Sequence, residues 1–122
     1  VSVNRSRWLP LVLLVALTVP ASGQRLLIGS WQTRLNESTA TLMIITVDND
    51  GSIQGTLRYD PPQQDGFAGS PFTAQIDNGA FAIRLFNGTR YEDMHWCRDE
   101  LCGIYHSPDD TATQVDFARP SN

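Results

Sequence analysis

The chain has 122 residues, of which 41% are hydrophobic and 18% charged, and a formal net charge of −4. That is enough apolar material for one modest core, and the acidic balance repels phosphate backbones, which excludes nucleic acid as a partner. All nine basic residues are arginine, a usage that points to a GC-rich bacterial genome.

Residues 1–23 read as a secretory signal peptide. Arg5 and Arg7 form a short positive region, residues 8–19 are an apolar run broken only by Pro10 and Thr18, and Pro20-Ala21-Ser22-Gly23 offers small residues before a cut at Gln24. The run is about a dozen residues, whereas a membrane-spanning helix needs about 20. Cleavage leaves residues 24–122 as one domain, whose seven arginines against 13 acidic residues give a side-chain charge of −6. The expected location is the bacterial periplasm or the medium, with no membrane contact after cleavage.

From residue 26 onward the pattern is strand after strand. Strands are predicted over 26–34, 40–47, 52–59, 72–76, 80–86, 89–96, 102–106 and 112–119. The third places Ile53, Leu57 and Tyr59 on one face; the fifth does so with Phe81, Ile83 and Leu85, and the last with Val115 and Phe117. Asp48-Asn49-Asp50-Gly51, Asp77-Asn78-Gly79 and Asn87-Gly88 carry residues that tolerate positive φ, as tight hairpins require. Ser107-Pro108-Asp109-Asp110 is a further turn, and only 60–71, with Pro61-Pro62, is a long connection of the kind that forms lids and binding loops. Eight short strands joined by hairpins form an up-and-down meander, and closure would remove its reactive edges. An all-β, eight-stranded antiparallel barrel is the expected fold, with a two-sheet sandwich as the alternative.

Cys97 and Cys102 are expected to form one disulfide in an exported protein. Placed directly opposite each other on neighbouring strands, they set a register in which Trp96 faces Gly103, Met94 faces Tyr105, and Asp93 faces His106. Met94, Trp96 and Tyr105 then share the core face, and Asp93, His95 and His106 gather on the other. Two histidines and a carboxylate are zinc-ligand types, but a fourth ligand and a spacing motif are lacking, so no metal is assigned. The Asp48–Gly51 turn lacks the glutamate that closes a calcium loop. No Gly-x-Ser-x-Gly elbow and no carboxylate pair across a cleft is found, so neither catalytic residues nor a cofactor are assigned, and the chain is read as a non-enzyme. Asn36-Glu37-Ser38 and Asn87-Gly88-Thr89 fit the glycosylation pattern but are read as loop residues.

Gly29-Ser30-Trp31, Leu35 and the run Asp50-Gly51-Ser52-Ile53-Gln54-Gly55-Thr56 resemble the opening strands of calycin-type barrels, the lipocalins and avidins. The resemblance implies a small closed barrel with Trp31 packed across one end. The avidin ligand positions are occupied by Thr33, Glu37 and Leu57, so it implies the fold and not biotin. The order of Gly-x-Trp, an Asp-Gly turn, Gly55-Thr56-Leu57, Gly88-Thr89-Arg90-Tyr91 and a last strand ending in Arg119 also resembles a small barrel-like module of exported bacterial proteins that often accompanies periplasmic hydrolases.

The expected function is that of a non-catalytic binding module. A small apolar or aromatic ligand would sit at the barrel mouth among Trp31, Leu57, Tyr59, Phe67, Trp96 and Tyr105, covered by the 60–71 loop. The alternative is a protein-interaction module, an inhibitor or adaptor of an exported enzyme, with Phe67 inserted into the partner.

Overall fold

In the computed structural model, residues 26–63 and 65–121 are described. The expected signal segment and its cleavage point lie outside them. Eight strands follow in order: β1 (Gly29–Leu35), β2 (Ser38–Val47), β3 (Ser52–Asp60), β4 (Gly69–Gln75), β5 (Phe81–Arg84), β6 (Arg90–Cys97), β7 (Glu100–His106) and β8 (Ala112–Phe117). All neighbours are antiparallel, in two four-stranded sheets of order β1-β2-β3-β4 and β5-β6-β7-β8. This is the two-sheet alternative; no closed barrel is formed among the described residues. The meander and the strand count are as expected from alternation. The break falls between β4 and β5, where Asn78 (φ 54°) and Gly79 (φ 80°) make a tight turn but pairing stops at the single Asp77–Ala80 bridge.

The sheets also meet at the opposite corner, where Gln32 and Ala118 exchange two main-chain hydrogen bonds of 2.7 and 2.9 Å. Between the sheets lies one core. Trp31, Leu42, Ile44, Ile53, Leu57, Ile83, Tyr91, Met94, Leu101 and Phe117 are all fully buried there, which is the inner half of each alternating strand.

The β6–β7 hairpin corrects the register read from the cysteines. Its turn is only Arg98-Asp99, with Arg98 at φ 64°, so Cys97 opposes Glu100 and Cys102 opposes His95. The disulfide therefore runs diagonally, with its Cα atoms 5.9 Å apart, rather than between facing residues. A bulge follows: Asp93 and Met94 together oppose Gly103, with Asp93 at φ 55°. Beyond it Tyr91 opposes Tyr105, and His106 opposes Arg90. Gly103 makes room for Met94, not for the Trp96 indole: a Cβ there would collide with the Met94 sulfur and come within 2.9 Å of the Glu92 carbonyl oxygen.

Candidate functional site

The six residues expected to line a mouth separate into two groups. Trp31 is wholly buried, its Nε1 donates to the Leu27 carbonyl at 2.9 Å, and its ring meets Trp96 edge-on at 5.4 Å. The Arg119 guanidinium lies over the Trp31 ring at 3.8 Å and donates to the main-chain carbonyls of Ile28 and Leu26. Gly29, at φ 122°, leaves the space that Arg119 fills. Trp31 is thus packed beneath Arg119 toward the end where residues 26–28 and 119 meet, on the cross-strand row of Leu42. Leu57, opposite Leu42 in mid-sheet, is core.

Tyr59, Phe67 and Tyr105 are at the other end, and the structure adds Tyr91 and Gln63 to them. Tyr59 on β3 and Tyr91 on β6 face each other across the two sheets, hydroxyl to hydroxyl at 2.5 Å and buried. The Tyr105 ring meets Tyr91 at a tilt, with centroids 5.4 Å apart, and Phe117 meets Tyr91 edge-on at 5.7 Å. β3 and β4 run further than predicted, so the connecting loop is shorter than 60–71. It folds back on itself through Gln63 N–H to Phe67 O at 2.9 Å and Gly66 N–H to Gln63 O at 2.7 Å. Tyr59 N–H to Ala68 O at 2.9 Å and Ser38 Oγ to Pro61 O at 2.7 Å hold it to the sheet. The Phe67 ring lies half-buried 6.0 Å from Tyr59.

This end is polar in a way the rest of the core is not. Two phenols that share one hydrogen bond leave one O–H proton to place, and no acceptor for it is found among the described residues. The Gln63 Nε2 is also buried without a partner. Burial pushes the Tyr59 and Tyr91 phenols well above their ordinary value, and the adjoining Tyr59 oxygen raises Tyr91 further. Tyr105 is raised first by burial and then by the Asp109 and Asp65 carboxylates.

The Asp93, His95 and His106 cluster does not form. His95 Nδ1 contacts the Asp93 carbonyl oxygen at 2.6 Å, while His106 is four residues along β7 from the position opposite His95, about 13 Å at strand rise. Instead His106 Nδ1 lies 3.5 Å from Asp110 Oδ1, and Asp110 accepts from Arg90 at 2.8 Å, which lowers its carboxyl. The one metal-ligand grouping among the described residues is Cys97, Cys102 and Asp116, where the two sulfurs are already bonded to each other.

A cleft of about 380 Å³ opens between residues 33–36 of β1 and the turn after it and residues 113–116 of β8, beyond the Gln32–Ala118 bridge. No protein-family model, no curated protein and no solved structure matches the chain.

Proposed function

We propose that the chain is an exported, non-catalytic binding module that takes a small aromatic ligand carrying an acceptor oxygen, at the tyrosine-lined end beneath the loop. The observation that carries this reading is two unanswered donors, the second phenolic proton beneath the loop and the buried Gln63 Nε2 of the loop itself. A buried donor without a partner costs about 1–3 kcal/mol, which a ligand oxygen would recover. Phe67 occupies the position on Tyr59 that a ligand ring would take, so loop and ligand exchange places. The reading includes the expected barrel form, with the ligand-bound chain a closed shell of the lipocalin and avidin kind. The diagonal disulfide fits an exported protein.

Native mass spectrometry of protein recovered from an export-competent host tests the reading, together with thermal shift against simple phenols, benzoates and indoles. The expectation is a retained molecule or a rise in Tm that Gln63→Ala and Tyr59→Phe both weaken. If neither measurement gives a signal, the ligand reading fails.

One observation favours the protein-interaction reading. Phe86, in the turn after β5, is 87% exposed at this same end, whereas Phe67, the expected anchor, is turned inward on Tyr59. In that reading Phe86→Ser abolishes cross-linking to an exported partner and leaves the thermal shifts untouched.

A further inference from the structure

We infer that β1 and β8 zip together along the cleft between them, joining the two sheets into one continuous eight-stranded sheet whose ends, β4 and β5, are held by the Asp77–Ala80 bridge, so that the seam is a gate to the tyrosine end. The two edges are built for each other. Gln32 and Ala118 already form a hydrogen-bonded pair. Because main-chain groups alternate sides along a strand, the N–H and C=O of Arg34 on β1, and of Asp116 and Gln114 on β8, point into the same open seam. None has a main-chain partner there among the described residues.

Continuing the antiparallel register from the bridge places Arg34 opposite Asp116 and Leu35 opposite Val115. The first pair is exposed and of opposite charge; the second is buried, at 4% and 5% exposure. Inside thus meets inside, and positive meets negative. A slip by one residue would set buried Leu35 against exposed Asp116 and lose both matches. Two unrelated edges would have no reason to agree in face, polarity and charge at once.

Closure within one molecule is favoured over the other ways of satisfying these edges. A single strand inserted into the seam would run antiparallel to one wall and parallel to the other, since β1 and β8 are themselves antiparallel. Pairing with a second copy competes against edges already tethered at Gln32 and Ala118, where the effective concentration is in the millimolar range or higher. The unpaired stretch runs from that bridge toward the β1–β2 turn and the start of β8, the end at which Thr33 lines up with Ala40 and Tyr59, and Thr113 with Tyr105 and Tyr91. Buried Leu35 and Val115 stand between the cleft and the tyrosines, so parting them opens sideways access to that end and zipping the edges locks it shut.

The inference deepens the barrel part of the reading above and rests on it, but closure is tested without any ligand. In Leu35→Cys/Val115→Cys, the two sulfurs sit at a non-hydrogen-bonded pair once the seam is shut, with Cα atoms about 4.5 Å apart. Mild oxidation should give an intramolecular bond between positions 35 and 115, seen by peptide mapping of the monomer. Should that variant not fold, amide hydrogen exchange at residues 34, 114 and 116 reports on the wild-type chain. There Arg34→Asp and Asp116→Arg should each speed exchange about two- to five-fold, and the double reversal should restore it. Exchange at free-peptide rates in all four proteins overturns the inference, as does a cross-link found only between molecules. A shut seam with no ligand signal would sink the ligand reading alone; a bound ligand with a seam that never shuts would sink the gate alone.

Discussion

Removing both hydroxyls of the Tyr59–Tyr91 pair should cost less than the two single removals added together. The two oxygens are 2.5 Å apart in a site closed to water, with Tyr91 fully buried and Tyr59 4% exposed. Tyr91→Phe leaves the Tyr59 hydroxyl buried with nothing to bond, a penalty of about 1–3 kcal/mol. Tyr59→Phe does the same to Tyr91. The double substitution removes both polar groups together and keeps both rings, so its cost should fall below the sum of the two singles by a coupling of about 1–2 kcal/mol. For a domain of this size each kcal/mol corresponds to about 4–8 °C in Tm.

Urea unfolding followed by tryptophan fluorescence and by far-ultraviolet circular dichroism gives the four free energies of the cycle. Coincident transitions and an unchanged m-value would show that only stability has moved. Additive single costs would refute the reasoning, because they would mean that each hydroxyl finds water or another partner in the folded state. The cycle also separates two origins of the elevated phenol pKa values, since the lone phenol of each single variant keeps its burial but loses its neighbour.

The same pair predicts an alkaline limit. Both phenols titrate higher in the folded chain than in the unfolded one, so their contribution is complete below the unfolded value of 10.0 and is lost as pH rises from there toward the folded values. Each should add a slope of about −1.4 kcal/mol per pH unit above pH 10, measured as urea midpoints; the Tyr59→Phe/Tyr91→Phe double variant should flatten it. Arg119→Gln should cost about 1–2 kcal/mol and shift tryptophan emission, through loss of the cation over Trp31 and of its bonds to Ile28 and Leu26, and Arg119→Lys should recover only part. Replacing Cys97 and Cys102 by serine should cost about 2 kcal/mol, since the closed loop is short, and should leave ligand-dependent thermal shifts intact.

Strand number and order were legible because each strand alternates and each tight turn carries Asn, Asp or Gly. The Cys97–Cys102 register was not, because it assumed a regular pair of strands. Tyr91 and Met94 are three apart and both fully buried, which no unbroken strand allows; the bulge at Asp93 and Met94 reconciles them. That spacing is the sign of the bulge in the sequence; a regular register instead sets His106 opposite Asp93. Tyr59, Phe67 and Tyr105 could be named as candidates from residue type and from the long connection between strands. Gln63 had no mark in the sequence, since its importance lies in a missing partner. Arg119 was visible only as the end of the last strand, and Gly29 as one letter of Gly-x-Trp, though the two are one device: the glycine admits the guanidinium that covers the tryptophan.

The two ends of the molecule are built to different rules, and the proposed binding role rests on that division. At the Trp31 end, two main-chain bonds join the sheets, the indole is stacked and hydrogen-bonded, and Arg119 seals the surface. At the tyrosine end, the sheets part along β1 and β8, buried donors lack acceptors, and the covering loop is held mainly by its own turn. Local opening follows the weakest packing and the fewest cross-connections, so it begins at the tyrosine end and stops at the Gln32–Ala118 bridge. A chain selected only for stability would have placed apolar side chains at positions 59, 63 and 91 and continued the β1–β8 ladder. In the proposed reading, keeping polar groups and an unpaired seam on the same side of the core lowers stability there and leaves a surface that a ligand completes.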